Sequence, residues 1–369
     1  MRDYFIGLMS GTSLDGIDAV LVDFSNNKPD LIAYHSHPFP DTIRKNILDA
    51  VQPAWQGSLL QFGTLDQTLG KLFSDAVNQL LTLTPIDKDQ IIAIGSHGHT
   101  LWHQPAGEHP FSLQLGNANR IAELTSITTV ADFRGRDIAA GGQGAPLVPA
   151  FHAEYLTHPA RNRIILNIGG IANITYLPSS DNQVNQVNGF DTGPGNGLID
   201  AWIATHKHKP YDKSGQWARS GKVLQNLLEH LLDEPYFSAP HPKSTGKEYF
   251  NLHWLRNKLS GEFTPCKPKD VQATITALTA YTIAKSCNKG DEILVCGGGV
   301  HNEYLIELLA EYLISTPILS STTSVGIDPD WMEAIAFAWL AKQTLEQKTA
   351  NLPAVTGAKG TRILGAIYQ

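Results

Sequence analysis

Asp191 is the clearest candidate for acid–base chemistry in this sequence. It follows the apolar run 187–190, which predicts a strand, and precedes a glycine turn and the apolar helix predicted over 198–204. A carboxylate at a strand end, beside a glycine turn that opens a helix, is a common position for a general base. The N-terminus of the helix could also hold an anion. A plainer interpretation makes Asp191 an N-cap or turn former.

A glycine-rich loop near the start of the chain is a candidate phosphate site. Apolar runs over 4–9 and 17–24 flank it and predict a strand, a tight turn and a second strand. Consecutive N–H groups in such a turn bind phosphate oxygens without a lysine. Carboxylates beside a phosphate require Mg²⁺ or water between them. An ordinary hairpin remains the alternative. The loop and its continuation comprise Gly11, Thr12, Ser13, Leu14, Asp15, Gly16, Ile17 and Asp18.

Two further glycine turns repeat this theme. Residues 163–176 again read as strand, glycine turn and strand, around Gly169 and Gly170. The pair of hairpins predicts two similarly built domains that face each other across one ligand. Residues 297–299 are three glycines between a predicted strand, 292–296, and a helix, 304–313, so that a flat ring or sugar could lie on bare backbone. They lack the GxGxxG order of a dinucleotide site.

Three histidines, His97, His99 and His103, follow the short strand predicted over 91–94. Residues two apart on a strand share a face, so these imidazoles could bind a metal and support a metallohydrolase. No acidic ligand lies beside them at helical spacing. The alternative is a polar loop at a strand end that contacts a polar ligand.

Arg134 and Arg136 lie between Asp132 and Asp137, just after the strand predicted over 128–131. Guanidinium groups pair with oxygens in a fixed geometry, which suits a polar or anionic ligand. A surface ion-pair cluster is the alternative. The small-residue run 139–149 predicts a hinge or a ligand-lining loop. Residues 243–251 suggest a P-loop only superficially, because the GxxxxGK[ST] spacing and a preceding strand are missing.

Composition narrows the class of protein. The chain has 369 residues, a formal charge of −7 and three cysteines, Cys266, Cys287 and Cys296. This length predicts two domains with a cleft between them. The negative charge argues against a nucleic-acid partner, and the cysteine spacing supports neither a disulfide framework nor a zinc site. Without a leader-like start or a membrane-length apolar run, we expect a cytoplasmic protein with no membrane partner.

Short apolar strands alternate with helices, which predicts an α/β fold. Helices are predicted from residue 41, over 59–83, 119–124, 270–287 and 331–345, and a third strand over 31–37. We expect an N-terminal lobe over 1–130 with the first phosphate hairpin. The second lobe, 131–369, would carry the second hairpin, the candidate base and the glycine triplet, with the C-terminal segment possibly crossing back to the first lobe.

The chain as a whole resembles the anhydro-N-acetylmuramic acid kinase family, within the sugar kinase, actin and Hsp70 superfamily. The resemblance runs from about residue 6 to residue 366 and rests on the motifs MSGTSLDGID, GSHGHT, ADFRGRD, GGQGAPLVPAFH, NIGGIAN, DTGPGN, PKSTGKEYFN, CGGGVHN and MEAIAFAWLA. It implies two related α/β lobes of the actin and hexokinase, or ribonuclease H-like, fold around a central cleft for ATP and substrate.

The resemblance also implies an activity. The family converts 1,6-anhydro-N-acetylmuramic acid, ATP and water into N-acetylmuramic acid 6-phosphate and ADP, in cell-wall recycling and amino-sugar catabolism. ATP and Mg²⁺ are the implied cofactors, small molecules are the implied partners, and a homodimer is suggested. Opening of the anhydro bridge frees the oxygen on carbon six to accept the γ-phosphoryl group.

Roles for individual residues follow from the matched motifs. Asp191 matches the base that activates water for attack on the anomeric carbon, and Glu333 is expected near that water. The expected nucleotide-binding residues are those of the loop from Gly11 to Asp18, with Gly169, Gly170, Asn173, Gly297, Gly298, Gly299 and Asn302. The expected sugar-binding residues are His97, Thr100, Arg134, Arg136, Asp137, Gly193 and Asn196.

Two positions depart from the expected family pattern, His99 where we expect glutamine and Gly135 where we expect arginine. Neither removes the phosphate loops or Asp191. Two other functions remain open at this point. A conventional kinase for an open-ring sugar would look the same in composition and spacing. An ATP-driven binding module of the same superfamily would need a peptide-binding domain, for which 369 residues leave little room.

Overall fold

The computed structural model describes residues 2–11, 14, 16–51, 55–181, 186–240, 243–263, 265–287, 290–313, 318–319 and 321–369. Three residues of the predicted phosphate loop, Thr12, Ser13 and Asp15, lie outside this set. In the described part of the chain, no helix has the length and apolar content needed to span a bilayer.

The described residues form strands and helices in a mixed α/β order, which confirms the predicted fold class. The strands are β1 (Tyr4–Ser10), β2 (Gly16–Asp23), β3 (Asp30–Pro38), β4 (Ile91–Gln104), β5 (Phe111–Leu115), β6 (Thr129–Ala131), β7 (Arg163–Ile168), β8 (Ile171–Leu177), β9 (Asn188–Pro194), β10 (Glu292–Cys296), β11 (Ile318–Leu319) and β12 (Ala366–Tyr368). The helices are α1 (Asp41–Ala50), α2 (Leu59–Thr82), α3 (Ala118–Thr125), α4 (Phe133–Ala139), α5 (Val148–Leu156), α6 (Asn196–Lys207), α7 (Gln216–Arg219), α8 (Gln225–Leu232), α9 (Pro235–Ser238), α10 (Leu252–Lys258), α11 (Pro268–Ser286), α12 (Glu303–Tyr312), α13 (Met332–Leu345) and α14 (Pro353–Thr356).

The chain divides into two compact units. Unit 1 comprises Met1–Tyr155 with Trp331–Gln369, and unit 2 comprises Leu156–Asp330. This division differs from the predicted boundary at residue 130. The first unit continues past that point because β6 pairs with β4 and with the C-terminal strand β12, which ties both segments into one sheet.

Unit 1 is built on a seven-stranded sheet in the order β12-β6-β4-β1-β2-β3, with β5 paired to β4. Strands β1 to β3 form an antiparallel meander, and β4 runs parallel to β1. Helix α2 begins at a capping box, in which Ser58 and Gln61 satisfy each other's backbone N–H groups. Its residues Leu69, Phe73 and Leu80 are buried in one cluster with the apolar side chains of the sheet.

Unit 2 repeats this strand pattern. Its five-stranded sheet has the order β11-β10-β7-β8-β9, in which β7 to β9 form an antiparallel meander and β10 runs parallel to β7. Helix α11 buries residues such as Ile275 and Leu278 in the same cluster as Leu166 and Ile168 of β7. The first three strands and the parallel fourth therefore have the same arrangement in both units, as two related lobes require.

Most predicted elements are present, with one substantial correction. The sequence predicts a strand over 91–94 that runs into a polar loop, whereas β4 continues to Gln104. The glycines and histidines of this stretch are held extended because the strand finds partners along its length. It pairs with β1 and β6 through its first half and with β5 through its second half.

Candidate active site

A buried hydrogen-bond chain ties together the two ends of the first glycine loop. Ser10, the last residue of β1, donates its hydroxyl proton to the carbonyl oxygen of Gly16, the first residue of β2, over 3.0 Å. Nδ1 of His99 lies 3.1 Å from the same hydroxyl oxygen. Because the serine proton is already committed, His99 must donate from Nδ1, which fixes its neutral tautomer. Burial lowers the pKa of His99 to about 4, so the ring stays neutral at physiological pH.

Leu14 anchors the same loop from within. It adopts a φ of 62°, a left-handed conformation that costs a non-glycine residue about 1–2 kcal/mol. Its side chain is only 5% exposed and belongs to the unit 1 core cluster, and its N–H donates to the carbonyl oxygen of Gly11. Burial of the leucine side chain stabilises the strained turn, and strain of this kind often accompanies binding loops.

A β-bulge in β4 separates two of the histidines. Leu8 pairs with Ser96 but Ser10 pairs with His99, so β4 carries one extra residue at this point. Gly98 makes the bulge possible with a φ of 71°, and a Cβ there would lie 2.6 Å from the carbonyl oxygen of Leu115. His97 therefore packs against Phe337 of α13, with ring centroids 4.7 Å apart.

His99, in contrast, packs against Phe39, with ring centroids 6.2 Å apart. The assumption that residues two apart share a face fails here because the strand is not regular. His103 bonds to Ser112 at the exposed end of β4. In the residues that the structure describes, no group of histidine, cysteine or acidic side chains is placed to hold a metal ion. The metallohydrolase interpretation loses its structural basis.

His97 accepts hydrogen bonds from Arg134, one of the two predicted sugar-binding arginines. The guanidinium donates to Nε2 of His97 over 2.8 and 3.2 Å, and to the carbonyl oxygen of Gly144 over 2.9 Å. Nδ1 of His97 donates to the carbonyl oxygen of Gly98. Burial and the nearby guanidinium hold the pKa of His97 well below its usual range. A neutral imidazole thus fixes a charged arginine without competing for an anion.

Glu333 lies in the first turn of α13, and the charge of Arg134 affects its pKa. Burial raises the pKa of Glu333, Asp18 adds to this effect, and Arg134 opposes it. Burial likewise lowers the pKa of Arg134 to about 10, with Glu333 opposing. Two of the residues expected from the family motifs, Glu333 and Arg134, are therefore electrostatic neighbours, with Asp18 of β2 beside them.

Close packing of α13 on the sheet brings Glu333 to this position. A Cβ on Gly7 of β1 would collide with the carbonyl oxygen of Ala334, and one on Gly95 of β4 would collide with that of Phe337. Two glycines on adjacent strands thus let the helix backbone approach the sheet directly.

The remaining unit 1 candidates divide into different roles. Asp137 is fully buried, and its carboxylate accepts hydrogen bonds from the Gly144 N–H, Asn351 and Thr356 over 2.6–2.8 Å. These contacts fix the segment after α4. Arg136 is exposed and, two positions from Arg134, occupies a different face of α4. Thr100 accepts a hydrogen bond from Gln114 of the neighbouring strand β5.

In unit 2, the turn between β7 and β8 is fixed by the start of α6. The carbonyl oxygen of Gly169 accepts the N–H of Asn196, and that of Gly170 accepts the N–H groups of Gly195 and Gly197, over 2.8–3.0 Å. The side chain of Asn196 also donates to the Ile168 carbonyl oxygen. Asn196, predicted to bind sugar, therefore holds the glycine turn.

A row of polar side chains crosses the unit 2 sheet. Asn173 of β8 pairs with Asn167 of β7 on one side and with Asp191 of β9 on the other. Directly paired residues point to the same face of a sheet. The row continues to the glycine triplet, because a Cβ on Gly297 would collide with Oδ1 of Asn167. Asp191, Asn173 and Gly297 are thus brought to one line of the sheet.

Hydrogen bonds fix the carboxylate, the backbone N–H and the backbone carbonyl oxygen of Asp191. Its Oδ2 accepts hydrogen bonds from the Ser244 hydroxyl over 3.0 Å and from the Thr245 N–H over 2.9 Å. Its backbone N–H donates to the carbonyl oxygen of Lys243, and its carbonyl oxygen accepts from the Tyr236 hydroxyl over 2.7 Å. The carboxylate is therefore oriented, with Oδ2 engaged by two donors.

The electrostatic balance at Asp191 suits a base. Burial raises its pKa and Glu248 adds to this effect, whereas the hydrogen bonds from Thr245 and Ser244 lower the pKa. A carboxylate that is partly desolvated but still stabilised as an anion is a stronger proton acceptor than a solvated one. The alternative interpretation of Asp191 as an N-cap does not fit, since it lies within β9 and Gly195 precedes α6.

Two further candidates in unit 2 have structural contacts. Asn302 caps α12, where its side chain accepts the N–H of Leu305. Gly193 has a φ of 146°, and a Cβ there would lie 2.8 Å from the Phe237 ring. In the triplet, Gly297 donates to the carbonyl oxygen of Pro329 and accepts from the N–H of Val300.

Sequence reasoning missed the residues that hold Asp191. Ser244, Thr245 and Tyr236 lie far along the chain from it, so no local spacing could join them. Ser244 and Thr245 belong to the motif PKSTGKEYFN, to which no role was assigned, and Tyr236 lies in α9. Ser10 was quoted within the first motif, but its contact with His99 across two strands had no sequence signal.

The described residues at the ends of the first glycine loop fit the implied Mg²⁺ and ATP. Mg²⁺ prefers oxygen ligands and is usually held by one or two carboxylates together with substrate phosphates and water, not by a protein cage. A backbone loop closed by Ser10 and Gly16, with Asp18 following on β2, fits such a site. The bare glycine turns of both units fit a ligand that approaches the backbone.

Comparisons with known proteins point to one family along the whole chain. The model of the family described as anhydro-N-acetylmuramic acid kinase matches residues 3–369. A protein of that name from Coxiella burnetii (strain RSA 493 / Nine Mile phase I) is 51% identical, with 100% of this chain and 98% of the relative covered. One from Shewanella pealeana is 50% identical, with 100% and 99% covered.

One similar solved structure is distant in sequence. A gluconate kinase from Lactobacillus acidophilus has 14% identity and a TM-score of 0.45, with 100% of this chain and 94% of that chain covered. The sequence relatives, in contrast, cover both units. The chain belongs to the anhydro-N-acetylmuramic acid kinase family.

Proposed function

We propose that this protein is an ATP-dependent kinase that opens 1,6-anhydro-N-acetylmuramic acid with water and releases N-acetylmuramic acid 6-phosphate and ADP. The kinase assignment rests on family membership over the full chain. The observation that supports the hydrolytic step is the oriented carboxylate of Asp191, with its Oδ2 engaged by Ser244 and Thr245 and its pKa raised by burial.

The proposed reaction forms two bonds to oxygen and breaks two, with one proton transferred from water. Asp191 accepts a proton from water as the water oxygen attacks the anomeric carbon of the sugar. The bond from that carbon to the bridging oxygen breaks, and the oxygen stays on carbon six. It attacks the γ-phosphorus of ATP, the bond to the β–γ bridging oxygen breaks, and ADP leaves. The proton on Asp191 then returns to solvent, which completes the balance.

Unit 1 supplies groups for charge and orientation in this proposal. The backbone of the loop from Gly11 to Gly16 would cradle phosphate oxygens, and Asp18 of β2 would help to hold Mg²⁺, which would neutralise phosphoryl charge when bound. Arg134, fixed by neutral His97, binds a polar group of the sugar. Glu333 orients the attacking water, a role taken from the family motif.

The proposed metabolic role and cellular location of the enzyme also follow from the family. The reaction recycles a cell-wall sugar and feeds amino-sugar catabolism, so we place it in the cytoplasm, where ATP is available. The proposed partners are the two small-molecule substrates. A homodimer stays a prediction, which light scattering of the purified protein would test.

A coupled ADP-release assay with Mg²⁺-ATP tests the proposal. It compares 1,6-anhydro-N-acetylmuramic acid with open-ring N-acetylmuramic acid and N-acetylglucosamine. We expect ADP release with the anhydro sugar, together with a phosphorylated open-ring product. Release with the open-ring sugars alone would contradict the hydrolytic role of Asp191 and favour a conventional sugar kinase.

The variant Asp191→Asn tests the role of the carboxylate directly, because it keeps the size of the side chain and removes the base. General-base catalysis contributes about 10²–10⁴-fold, so turnover should fall by that range while ADP affinity stays unchanged. Loss of ADP binding with retained turnover would contradict the assignment.

A further inference from the structure

The sheet alone fixes Asp191 only loosely. β9 is the last strand in the order of the unit 2 sheet, and among the described strands it pairs with β8 alone. Beside Asp191 this pairing is irregular, because β9 carries Thr192 as one extra residue relative to β8. A bulge of this kind bends its strand and re-aims the neighbouring side chains. The direction of the Asp191 carboxylate therefore depends on contacts from outside the sheet.

Two of these contacts hold the backbone of Asp191. Its N–H donates to the carbonyl oxygen of Lys243. Its carbonyl oxygen accepts the hydroxyl proton of Tyr236, in α9, over 2.7 Å. Ser244 and Thr245 bind the carboxylate instead and lower its pKa. Tyr236 thus contacts the main chain of the base and not its titrating group, so this hydrogen bond sets the position of Asp191 rather than its pKa.

The ring of Tyr236 is held by its own neighbours. Nζ of Lys243 lies 4.7 Å from the centre of the ring and donates to the carbonyl oxygens of Tyr236 and Phe237. The ring of Phe250 packs edge-to-face on that of Tyr236, with centroids 5.4 Å apart. Burial and the charge of Asp191 raise the pKa of Tyr236, so the phenol keeps its proton and acts as a donor. A packed aromatic side chain therefore presents a fixed donor to Asp191.

We propose that Tyr236 is a positioning residue for the general base Asp191, and that Lys243 orients Tyr236 for this task. This inference rests on the proposed hydrolytic role of Asp191. By holding the backbone carbonyl oxygen, Tyr236 keeps the carboxylate at the place from which it accepts the proton of the attacking water. Such geometry matters because a misplacement of about 1 Å can lower a rate by about 10²-fold. Tyr236 itself contacts neither the substrate nor the water in this proposal.

The test compares the steady-state kinetics of the full-length wild type and Tyr236→Phe, with the anhydro sugar and Mg²⁺-ATP, from pH 4 to 9. Tyr236→Phe keeps the ring and removes only the hydroxyl. We expect kcat to fall about ten-fold, a loss suited to a base that is displaced by less than 1 Å. The KM values for both substrates and the position of the acid limb should stay as in the wild type, because the variant removes neither a substrate contact nor a donor to the carboxylate.

A second comparison asks whether Tyr236 acts through Asp191. In the Asp191→Asn background, Tyr236→Phe should leave the residual turnover unchanged, since no base remains to be positioned; long incubations at high enzyme concentration measure this turnover. Tyr249→Phe is the matched control, because its ring lies beside that of Tyr236 and its hydroxyl donates to Glu234 instead. Its kcat should equal that of the wild type. Calorimetric titration with ADP checks that each variant is folded. If Tyr236→Phe fails to fold, Lys243→Met, which removes the ammonium group from the Tyr236 ring, should show the same fall in kcat with unchanged KM values.

The outcomes separate this inference from the proposed function. An unchanged kcat in Tyr236→Phe would overturn the role of Tyr236 and leave the kinase function intact. A raised KM with unchanged kcat would also overturn it, because it would indicate a substrate contact, and a shifted acid limb would do so because it would indicate an effect on the pKa of the base. An equal loss in Tyr249→Phe or in the Asp191→Asn background would show general damage to the fold instead of positioning. A wild-type protein that releases ADP only with open-ring sugars would refute the proposed function itself.

Discussion

Removal of the Ser244 hydroxyl should shift the pH dependence of catalysis in a defined direction. Ser244 donates to Oδ2 of Asp191 over 3.0 Å and lowers the pKa of that carboxyl, against the effect of burial. The Thr245 N–H remains in the Ser244→Ala variant. The anion therefore loses one of two donors, and its pKa rises.

The magnitude follows from the strength of this bond. Hydrogen bonds to charged groups contribute about 1.5–3 kcal/mol, and the lower end applies because Ser244 is exposed. Since 1.36 kcal/mol corresponds to one pKa unit, the acid limb should move by about one pH unit. A base works only when deprotonated, so activity falls as pH drops below its pKa. A raised pKa moves this fall to higher pH.

The assay is kcat/KM for the anhydro sugar, measured as ADP release from pH 4 to 9. We expect the acid limb of Ser244→Ala at higher pH, with a smaller loss on the plateau. Ser244→Thr keeps the hydroxyl and should restore the wild-type profile. Ser238→Ala removes a hydroxyl that donates to the carbonyl oxygen of Pro235 and serves as the control. An unchanged acid limb, or an effect confined to the KM for ATP, would refute the reasoning.

Two further substitutions test the contacts of unit 1. His99→Ala removes the donor to Ser10 and should raise the KM for ATP several-fold, with a smaller effect on kcat. The amide of His99→Gln can donate in place of the imidazole and should recover most of the loss. Equal KM values for the two variants in steady-state assays would contradict this role. Asp137→Ala removes the acceptor of the Gly144 N–H and leaves Asn351 and Thr356 with longer hydrogen bonds, to the carbonyl oxygens of Gly360 over 3.3 Å and Leu352 over 3.4 Å. It should cost about 3 kcal/mol in the free energy of unfolding, measured by urea denaturation. A loss below about 0.5 kcal/mol, the range of ordinary surface substitutions, would show that the carboxylate is not a structural anchor.

The sequence predicts most of the secondary structure because the apolar periodicity of this chain is strong. The third strand, the long helices α2 and α11, and both hairpins follow from the spacing of apolar residues and glycines. The exception is β4. Its glycines and histidines have low strand preference, and pairing with β1, β5 and β6 holds them extended. Such tertiary pairing is not visible in local sequence.

The candidate site was only partly predictable for a related reason. Asp191 could be found because its strand, glycine turn and helix are adjacent in sequence. Its partners Ser244 and Thr245 could not, since they reach it only in the folded unit. Because of the bulge at Gly98, the side chains of His97 and His99 do not share one face of β4 as expected. The bulge can be recognised only from the register in which β4 pairs with β1. The burial of Asp137 could not be judged from its motif either.

The central claim is that Asp191 activates water for attack on the anomeric carbon while the oxygen on carbon six takes the phosphoryl group. The most direct test is a turnover in ¹⁸O-labelled water with rapid quenching and mass spectrometry of the product. We predict one labelled oxygen at the anomeric carbon and none in the phosphate. Label in the phosphate group, or an unlabelled anomeric hydroxyl, would contradict the coupled mechanism.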